Sequence, residues 1–182
     1  MRIRTNLFVT LDGKVSGPDG RPVQLLLSGF RGADSYGLPE FLANCEAVVM
    51  GRTTFLPALA APQWPWKQPV FVLTSSALPE GTPSDVTSAP TAAELVKLME
   101  SAGIGGDVHL VGGPSTMQAF RNIDALAEVW LHVVPMILGS GHPLAPAGAE
   151  PLSLTLQSTR TFPDGVVELG YTLQPLATAL KA

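Results

Sequence analysis

Residues 107–120 read DVHLVGGPSTMQAF, and this stretch decides how the rest of the chain is interpreted. The apolar run 108–111 predicts a buried strand, and the glycine pair 112–113 predicts a tight turn before a helix that begins at Ser115 or Thr116. A strand, a glycine turn and a helix start in this order direct free backbone N–H groups toward an anion. The stretch therefore predicts a phosphate-binding turn, although a βα turn that binds nothing has the same pattern.

The composition limits the function classes. A chain of 182 residues suggests one domain and is long enough to bury a sizeable core. Its hydrophobic fraction of 46% and charged fraction of 14% exclude a disordered protein. The net charge of −4, without a basic patch, argues against a nucleic-acid partner. An anionic ligand must therefore be held by local donors rather than by the overall charge.

The N-terminal sequence and the cysteine content indicate a cytoplasmic protein. Cys45 is the one cysteine, so no intramolecular disulfide is available. Residues 1–6 lack the apolar run of a signal peptide, and no apolar run approaches the length of a membrane span. We therefore expect a soluble protein without a membrane partner.

Two further predicted strands, at 47–50 and 70–73, end as the first one does. The donor-rich residues that follow the three strands are Gly51, Arg52, Thr53 and Thr54; Thr74, Ser75 and Ser76; and Gly112, Gly113, Pro114, Ser115 and Thr116. Short strands that alternate with helices predict a parallel sheet, and ligands of such sheets bind outside the carboxyl ends of the strands. The pattern suits a ligand with two or more phosphate groups, such as a dinucleotide.

The remaining elements complete an α/β domain. They are strands at 3–9, 23–27, 86–88 and 126–134, a helix at 34–44 that is broken near 37–39, a helix at 91–102, and a proline-rich surface loop at 56–68. Residues 152–161 alternate between apolar and polar, and with 166–173 they predict a C-terminal antiparallel hairpin. We expect a single α/β domain over residues 1–182, with a mixed, mostly parallel central sheet that ends in this hairpin.

Five short motifs resemble those of the dihydrofolate reductase-like superfamily. They are TLDG at 10–13, VMGRT at 49–53, TSS at 74–76, LVGGP at 110–114 and PMILGSG at 135–141. More narrowly, the chain resembles the C-terminal reductase domain of bifunctional riboflavin-biosynthesis deaminase/reductases. The resemblance covers most of the chain and implies the three-layer dihydrofolate reductase-like fold. It also implies an NADPH-dependent reductase that is often a homodimer.

The resemblance assigns the donor-rich residues to NADPH. Residues 51–54 would meet the cofactor phosphates, and Arg52 has the fork geometry that suits the 2′-phosphate or the pyrophosphate. The alternative interpretation of Arg52 is a solvated surface arginine that binds no ligand. Residues 74–76 would lie near the adenosine, and residues 112–116 would hold the pyrophosphate.

The residues implied for the substrate are Thr10, Asp12 and Asp34. Thr10 and Asp12 lie where nicotinamide and substrate meet in the family, although an aspartate before a glycine is also ordinary turn chemistry. Dihydrofolate reductases place an acid on the first helix to assist protonation of the pterin. Counting back from the VMGRT motif without a gap places this acid at Ser35. A shift of one residue would place it at Asp34. Riboflavin-pathway reductases commonly carry Glu where this chain has Val111.

We expect an NADPH-dependent reductase that acts on a pterin-like heterocycle or a ribosylamino-pyrimidine, as 5-amino-6-(5-phosphoribosylamino)uracil reductase does. The alternative from another class is a nucleotide-binding dimeric sensor or scaffold without catalysis; a flavin reductase is a third. No two of His109, His132 and His142 have metal-ligand spacing, so no metal is predicted. His109 and His132 are interpreted as packed core residues. Trp64 and Trp66 either belong to a surface loop or cover an adenine or a dimer contact.

Overall fold

The computed structural model describes residues 1–174. The strands are β1 (Arg2–Thr10), β2 (Lys14–Ser16), β3 (Cys45–Gly51), β4 (Val70–Leu73), β5 (Val86–Ala89), β6 (Asp107–Val111), β7 (Leu126–Val134), β8 (His142–Pro143), β9 (Ser153–Thr161) and β10 (Val167–Gln174). The helices are α1 (Leu38–Leu42), α2 (Arg52–Leu59), α3 (Ala92–Ser101) and α4 (Pro114–Arg121), and a 3₁₀ helix spans Val23–Leu26. No helix of this part of the chain is both long and apolar enough to cross a bilayer.

The main sheet has eight strands in the order β5-β4-β3-β6-β1-β7-β10-β9. Pairing is parallel between β1 and β6, β3 and β6, β3 and β4, and β4 and β5. It is antiparallel between β7, β10 and β9. The predicted α/β class, with a mixed, mostly parallel sheet and a C-terminal antiparallel hairpin, is confirmed. Strands β2 and β8 form a separate antiparallel pair.

Contacts within the chain define two compact units. Unit one comprises Met1–Thr5 and Asn44–Leu126. Unit two comprises Asn6–Ala43 and the described residues from 127 onward. The expectation of a single domain stays a prediction.

The core of unit one is an apolar cluster under α2. Val48, Met50, Phe55, Val70 and Val72 are fully buried in it, and Leu59, Trp64 and Trp66 pack against it. Burial of these side chains extends α2 to Leu59 despite the proline at 57. The surface-loop prediction for 56–68 is therefore wrong for the helical residues and for both tryptophan rings.

The core of unit two surrounds an aromatic group. Phe8 lies edge-to-face with Phe30 and Tyr36, at ring-centroid distances of 5.6 and 5.5 Å. The helix predicted at 34–44, with a break near 37–39, is wrong only before the break, because Tyr36 and Gly37 have left-handed φ angles of 53° and 75°. Helix α1 begins directly after them, at Leu38. The strand predicted at 23–27 is also wrong. Pro22 precedes a 3₁₀ turn there, in which Val23 is the buried residue.

The helix starts follow their capping chemistry. Thr91 caps α3, because its hydroxyl accepts a hydrogen bond of 3.2 Å from the Glu94 amide. Helix α4 begins at Pro114, one residue before Ser115, the earlier of the two predicted starts. Proline suits the first helical position, where its missing N–H would have no partner within the helix.

Candidate functional site

Unit one brings the three predicted strand ends together at one edge of its parallel strands. Strand β3 lies between β4 and β6, with Gly51 beside Leu73 and Met50 beside Val111. The segments 51–54, 74–76 and 112–116 all follow the carboxyl ends of these neighbouring strands. This edge of the sheet is where parallel α/β sheets bind ligands.

Thr116 joins two of these strand ends and is buried, with 7% exposure. A Cβ atom added to Gly51 would overlap the Thr116 hydroxyl, and one added to Gly112 would lie 3.3 Å from the Thr116 Cβ. Gly51 therefore makes room for the Thr116 side chain, and Gly112 packs closely against it. Contact with Thr116 alone explains why Gly51 carries no side chain.

Two helix N-termini open at this edge. The N-caps of α2 and α4 are Gly51 and Gly113, and neither supplies a side-chain hydrogen bond to its helix. The first-turn N–H groups of a helix have no partner within the helix, and they attract anions. The exposed hydroxyl residues Thr53 and Ser115 lie in these same first turns. The arrangement is a donor set suited to phosphate groups.

Arg52 connects α2 to the segment after β4. Its Nη1 donates a hydrogen bond of 3.0 Å to the Ala77 carbonyl. The Thr74 hydroxyl accepts one of 3.1 Å from the Ser76 amide and so closes its own turn. Ser75 and Ser76 are exposed beside that turn. The Arg52 guanidinium and the two serines therefore lie beside the end of β4, whereas α4 follows β6 on the other side of β3.

Asp12 in unit two is bound in a network of hydrogen bonds within the protein. Its Oδ1 accepts from the Thr10 hydroxyl at 2.6 Å and from the Leu138 amide at 3.0 Å, and its Oδ2 accepts from the Gly139 amide at 2.8 Å. The Thr10 hydroxyl also accepts from the Lys14 amide at 2.9 Å. The Thr10 bond and then the amide bonds lower the pKa of Asp12 from 3.8 to about 2. Asp12 is thus a carboxylate at neutral pH that fastens two loops together.

The third predicted substrate residue has different surroundings. Asp34 is exposed in a turn before α1, whereas the Ser35 hydroxyl accepts from the Arg31 amide at 3.0 Å and donates to the Gly32 carbonyl at 2.9 Å. Sequence reasoning missed the next polar pair, in which the Tyr36 hydroxyl donates to Asp164. Asp164 lies in the turn between β9 and β10. The sequence gives no signal that pairs residues so far apart.

The three histidines lie in unlike environments. His109 is buried, and desolvation together with the charge of Arg4 lowers its pKa to about 3, so it is neutral. His132 is fully buried, with its Nε2 at 2.6 Å from the Tyr36 carbonyl. His142 Nδ1 lies 2.9 Å from the Ser16 hydroxyl and 3.0 Å from the Gly17 carbonyl. Among residues 1–174, no three His, Cys, Asp or Glu side chains form a metal-binding group.

Comparison with solved structures defines the class of protein. A dihydrofolate reductase from Enterococcus faecalis, solved with NADP(H) and RAB-propyl, has a TM-score of 0.65 and 14% identity, over 96% of this chain and 97% of that chain. A putative riboflavin biosynthesis protein from Shewanella sp. PV-4 has a TM-score of 0.80 and 22% identity, over 96% of this chain and 100% of that one. The fold is the dihydrofolate reductase-like α/β fold, as the sequence motifs imply.

The family follows from the sequence comparisons. The family model of the RibD C-terminal domain matches residues 2–168, and the chain belongs to this family. The protein YyaP of Bacillus subtilis (strain 168), which is uncharacterized, is 27% identical over 183 residues, covering 93% of this chain and 94% of that protein. The family and the fold are those of reductases.

Proposed function

We propose that this protein is an NADPH-dependent reductase whose substrate is a small heterocycle, either pterin-like or a ribosylamino-pyrimidine. The observation that carries the proposal is the pair of glycine-capped helix N-termini at neighbouring strand ends of unit one, with Arg52 beside them. Backbone donors and a guanidinium fit a ligand with several phosphate groups. NADPH supplies the hydride when it is bound, and the protein binds and orients it.

Different residues of unit one would bind different parts of the cofactor. The first-turn amides of α2 and α4, with Thr53 and Ser115, would hold phosphate oxygens. Arg52 would pair with the 2′-phosphate that distinguishes NADPH from NADH. Ser75 and Ser76 would lie on the adenosine side.

In unit two, we propose that Thr10 and Asp12 act on the substrate by position. Their hydrogen bonds fasten the loop at 138–139, so they shape the substrate-binding surface rather than exchange protons. Asp34 is exposed and remains our candidate for the residue that assists protonation of the substrate. We further propose that the protein is cytoplasmic and that it forms a homodimer. Sedimentation of the full chain would test the homodimer.

The deciding experiment compares the affinities for NADPH and NADH by quenching of tryptophan fluorescence. Trp64 packs against Phe55 of α2 at 6.1 Å between ring centroids, so its emission reports on this edge of unit one. We expect Arg52→Ala to weaken NADPH binding about tenfold or more, because a charge-assisted phosphate contact is lost, and to change NADH binding little.

The matched control is Lys97→Ala, which removes an exposed positive charge from α3 of the same unit. It should leave both affinities unchanged. Equal weakening of NADPH and NADH by Arg52→Ala would argue against a 2′-phosphate contact. Absence of binding of either nucleotide to the unmodified protein would overturn the cofactor assignment.

A second candidate function is a nucleotide-binding sensor or scaffold without catalysis. The observation that favours it is the lack of an available acid at two positions: Asp12 is taken up by protein hydrogen bonds, and Val111 stands where related reductases carry Glu. Addition of candidate pterins and pyrimidines to the NADPH complex separates the two functions. Oxidation of NADPH supports the reductase, and binding without oxidation supports the sensor.

A further inference from the structure

Asn6 of unit two carries a buried side-chain amide that the fold leaves unpaired. The residue lies on β1 and is 8% exposed. Its Nδ2 and Oδ1 atoms are both buried, and neither has a hydrogen-bond partner among residues 1–174. Buried polar groups of native proteins are nearly always paired, because an unpaired group loses its bonds to water without replacement. The Asn6 amide therefore calls for a partner other than these residues.

The other buried polar side chains of β1 are paired within the protein. The Arg4 guanidinium donates a hydrogen bond of 2.6 Å to a carboxylate, and the Thr5 hydroxyl donates one of 3.0 Å to a main-chain carbonyl. The Thr10 hydroxyl donates one of 2.6 Å to a carboxylate. Asn6 is the exception on this strand, so the needs of the fold do not explain its amide.

Asn6 shares one face of β1 with Phe8 and Thr10, because successive side chains of a strand point to opposite sides of the sheet. The Phe8 ring stacks on the imidazole of His132, with 4.5 Å between the ring centroids. Thr10 is bonded to Asp12, and this pair is our candidate for contact with nicotinamide and substrate. The unpaired amide thus lies on the side of the strand that carries the proposed reaction site.

The amide itself limits the kind of group that can pair with it. Its Nδ2 has two N–H donors and its Oδ1 is an acceptor, so a partner that fills both atoms offers an acceptor beside a donor. A phosphate group offers acceptors only. The nicotinamide of NADPH carries a carboxamide, which has a carbonyl oxygen beside an N–H2 group. Adenine offers the same pattern on its N6 and N7 edge, so the experiment must separate the two ends of the cofactor.

We infer that Asn6 binds the carboxamide of the nicotinamide ring, with Nδ2 donating to its carbonyl oxygen and Oδ1 accepting from its N–H2 group. Two hydrogen bonds to one planar group fix the rotation of the ring, so Asn6 orients the nicotinamide for hydride transfer. The inference rests on the proposed use of NADPH. Asn6 is not among the residues that the sequence motifs imply for the cofactor.

The test compares NADPH with 2′-phospho-ADP-ribose, which keeps the adenosine, the 2′-phosphate and the pyrophosphate but lacks the nicotinamide. Both affinities are measured by calorimetry on the full chain. Asn6→Leu replaces the amide with an apolar group of similar size. The variant should bind NADPH about tenfold more weakly, because two buried hydrogen bonds are lost, and should bind 2′-phospho-ADP-ribose as the unmodified protein does.

The same variant should be more stable than the unmodified protein when no nucleotide is added. A buried leucine avoids the desolvation cost of an unpaired amide, so the thermal midpoint should rise by about 2–4 °C. The matched control is Thr5→Val, a polar-to-apolar change at the next position, where the hydroxyl is paired with the Leu110 carbonyl. Its thermal midpoint should fall, while both nucleotide affinities stay the same.

The possible results separate this inference from the proposed function. If the unmodified protein binds neither nucleotide, the NADPH-dependent reductase and the inference both fail. If NADPH binds and Asn6→Leu leaves its affinity unchanged, the inference fails and the proposed function stands. Equal weakening of the two ligands would assign the amide to the adenine or the phosphates and would also overturn the inference. If Asn6→Leu does not fold, Asn6→Ala is the second variant, because the ratio of the two affinities does not depend on stability.

Discussion

In unit one, the charged residues that stabilise the fold lie apart from the candidate ligand residues. Asp107 begins β6 and accepts hydrogen bonds from Arg2 at 2.8 Å and from the buried Arg4 at 2.6 Å. The bonds from these arginines hold the pKa of Asp107 below its usual value. The candidate phosphate residues follow the opposite, carboxyl ends of the strands.

In unit two, residues that stabilise the fold are also candidates for ligand binding. Asp12 holds the loop at 138–139 and is also a candidate substrate residue. Tyr36 and Asp164 join a turn to the β9–β10 connection and also line an open cavity of about 220 Å³. The difference predicts that ligand binding can be altered in unit one without loss of stability, whereas in unit two ligand binding and stability should change together.

The largest expected effect tests the separation in unit one. Asp107→Asn removes the carboxylate charge that pairs with the buried Arg4 side chain, which is 9% exposed, and should cost about 3–5 kcal/mol of unfolding free energy. The affinity of the folded protein for NADPH should not change. Urea unfolding and nucleotide titration of one preparation measure both quantities.

Asp85→Asn is the control for this variant, because Asp85 is exposed in the same unit. It should alter stability by less than about 0.5 kcal/mol. A loss of NADPH affinity in Asp107→Asn beyond a few-fold would contradict the separation, since it would connect the two ends of the strands.

The units also differ in how much of them the sequence predicts. The strand ends of unit one are local features: an apolar run is followed directly by glycine or hydroxyl residues, all within at most nine consecutive residues. The contacts that order unit two are distant in sequence. Asp12 and Gly139 are separated by 127 residues, and Tyr36 and Asp164 by 128. A single sequence carries no signal for such pairs.

The wrong predictions in unit two have the same origin. Residues 34–37 have the composition of a helix start, but the core holds Tyr36 in a left-handed conformation, with its carbonyl bonded to His132. Tertiary contacts override local propensity there. The alternation at 152–161 does predict β9, but Leu154 and Leu156 remain exposed because β9 is an edge strand.

A smaller effect is expected from substitution of Gly113, which again tests the separation of ligand binding from stability in unit one. Its φ is −73° and an added Cβ would meet no atom within 4 Å, so the fold itself does not require glycine at this position. Gly113→Ala should therefore keep a near-native thermal midpoint, with at most about 1 kcal/mol lost at the N-cap. NADPH affinity should fall about tenfold, because the new methyl group occupies the approach to the α4 amides. Unchanged affinity would remove Gly113 from the cofactor site.

The smallest effect concerns the pH dependence of unit two. The pKa of Asp12 is about 2 in the folded protein against 3.8 for the free group, so its contribution to stability is full above pH 3.8 and is lost as the pH falls through about 2. The unfolding free energies of the native protein and of Asp12→Asn should differ most near neutral pH and converge toward pH 2. Asp107 titrates in both proteins, so its effect cancels in the difference. Since Asp12 also holds the loop at 138–139, turnover should fall together with stability in the variant. A difference that stays the same in acid would mean that the charge of the Asp12 carboxylate does not stabilise this loop. In unit two, as in unit one, the candidate ligand residue would then be separate from the charges that stabilise the fold.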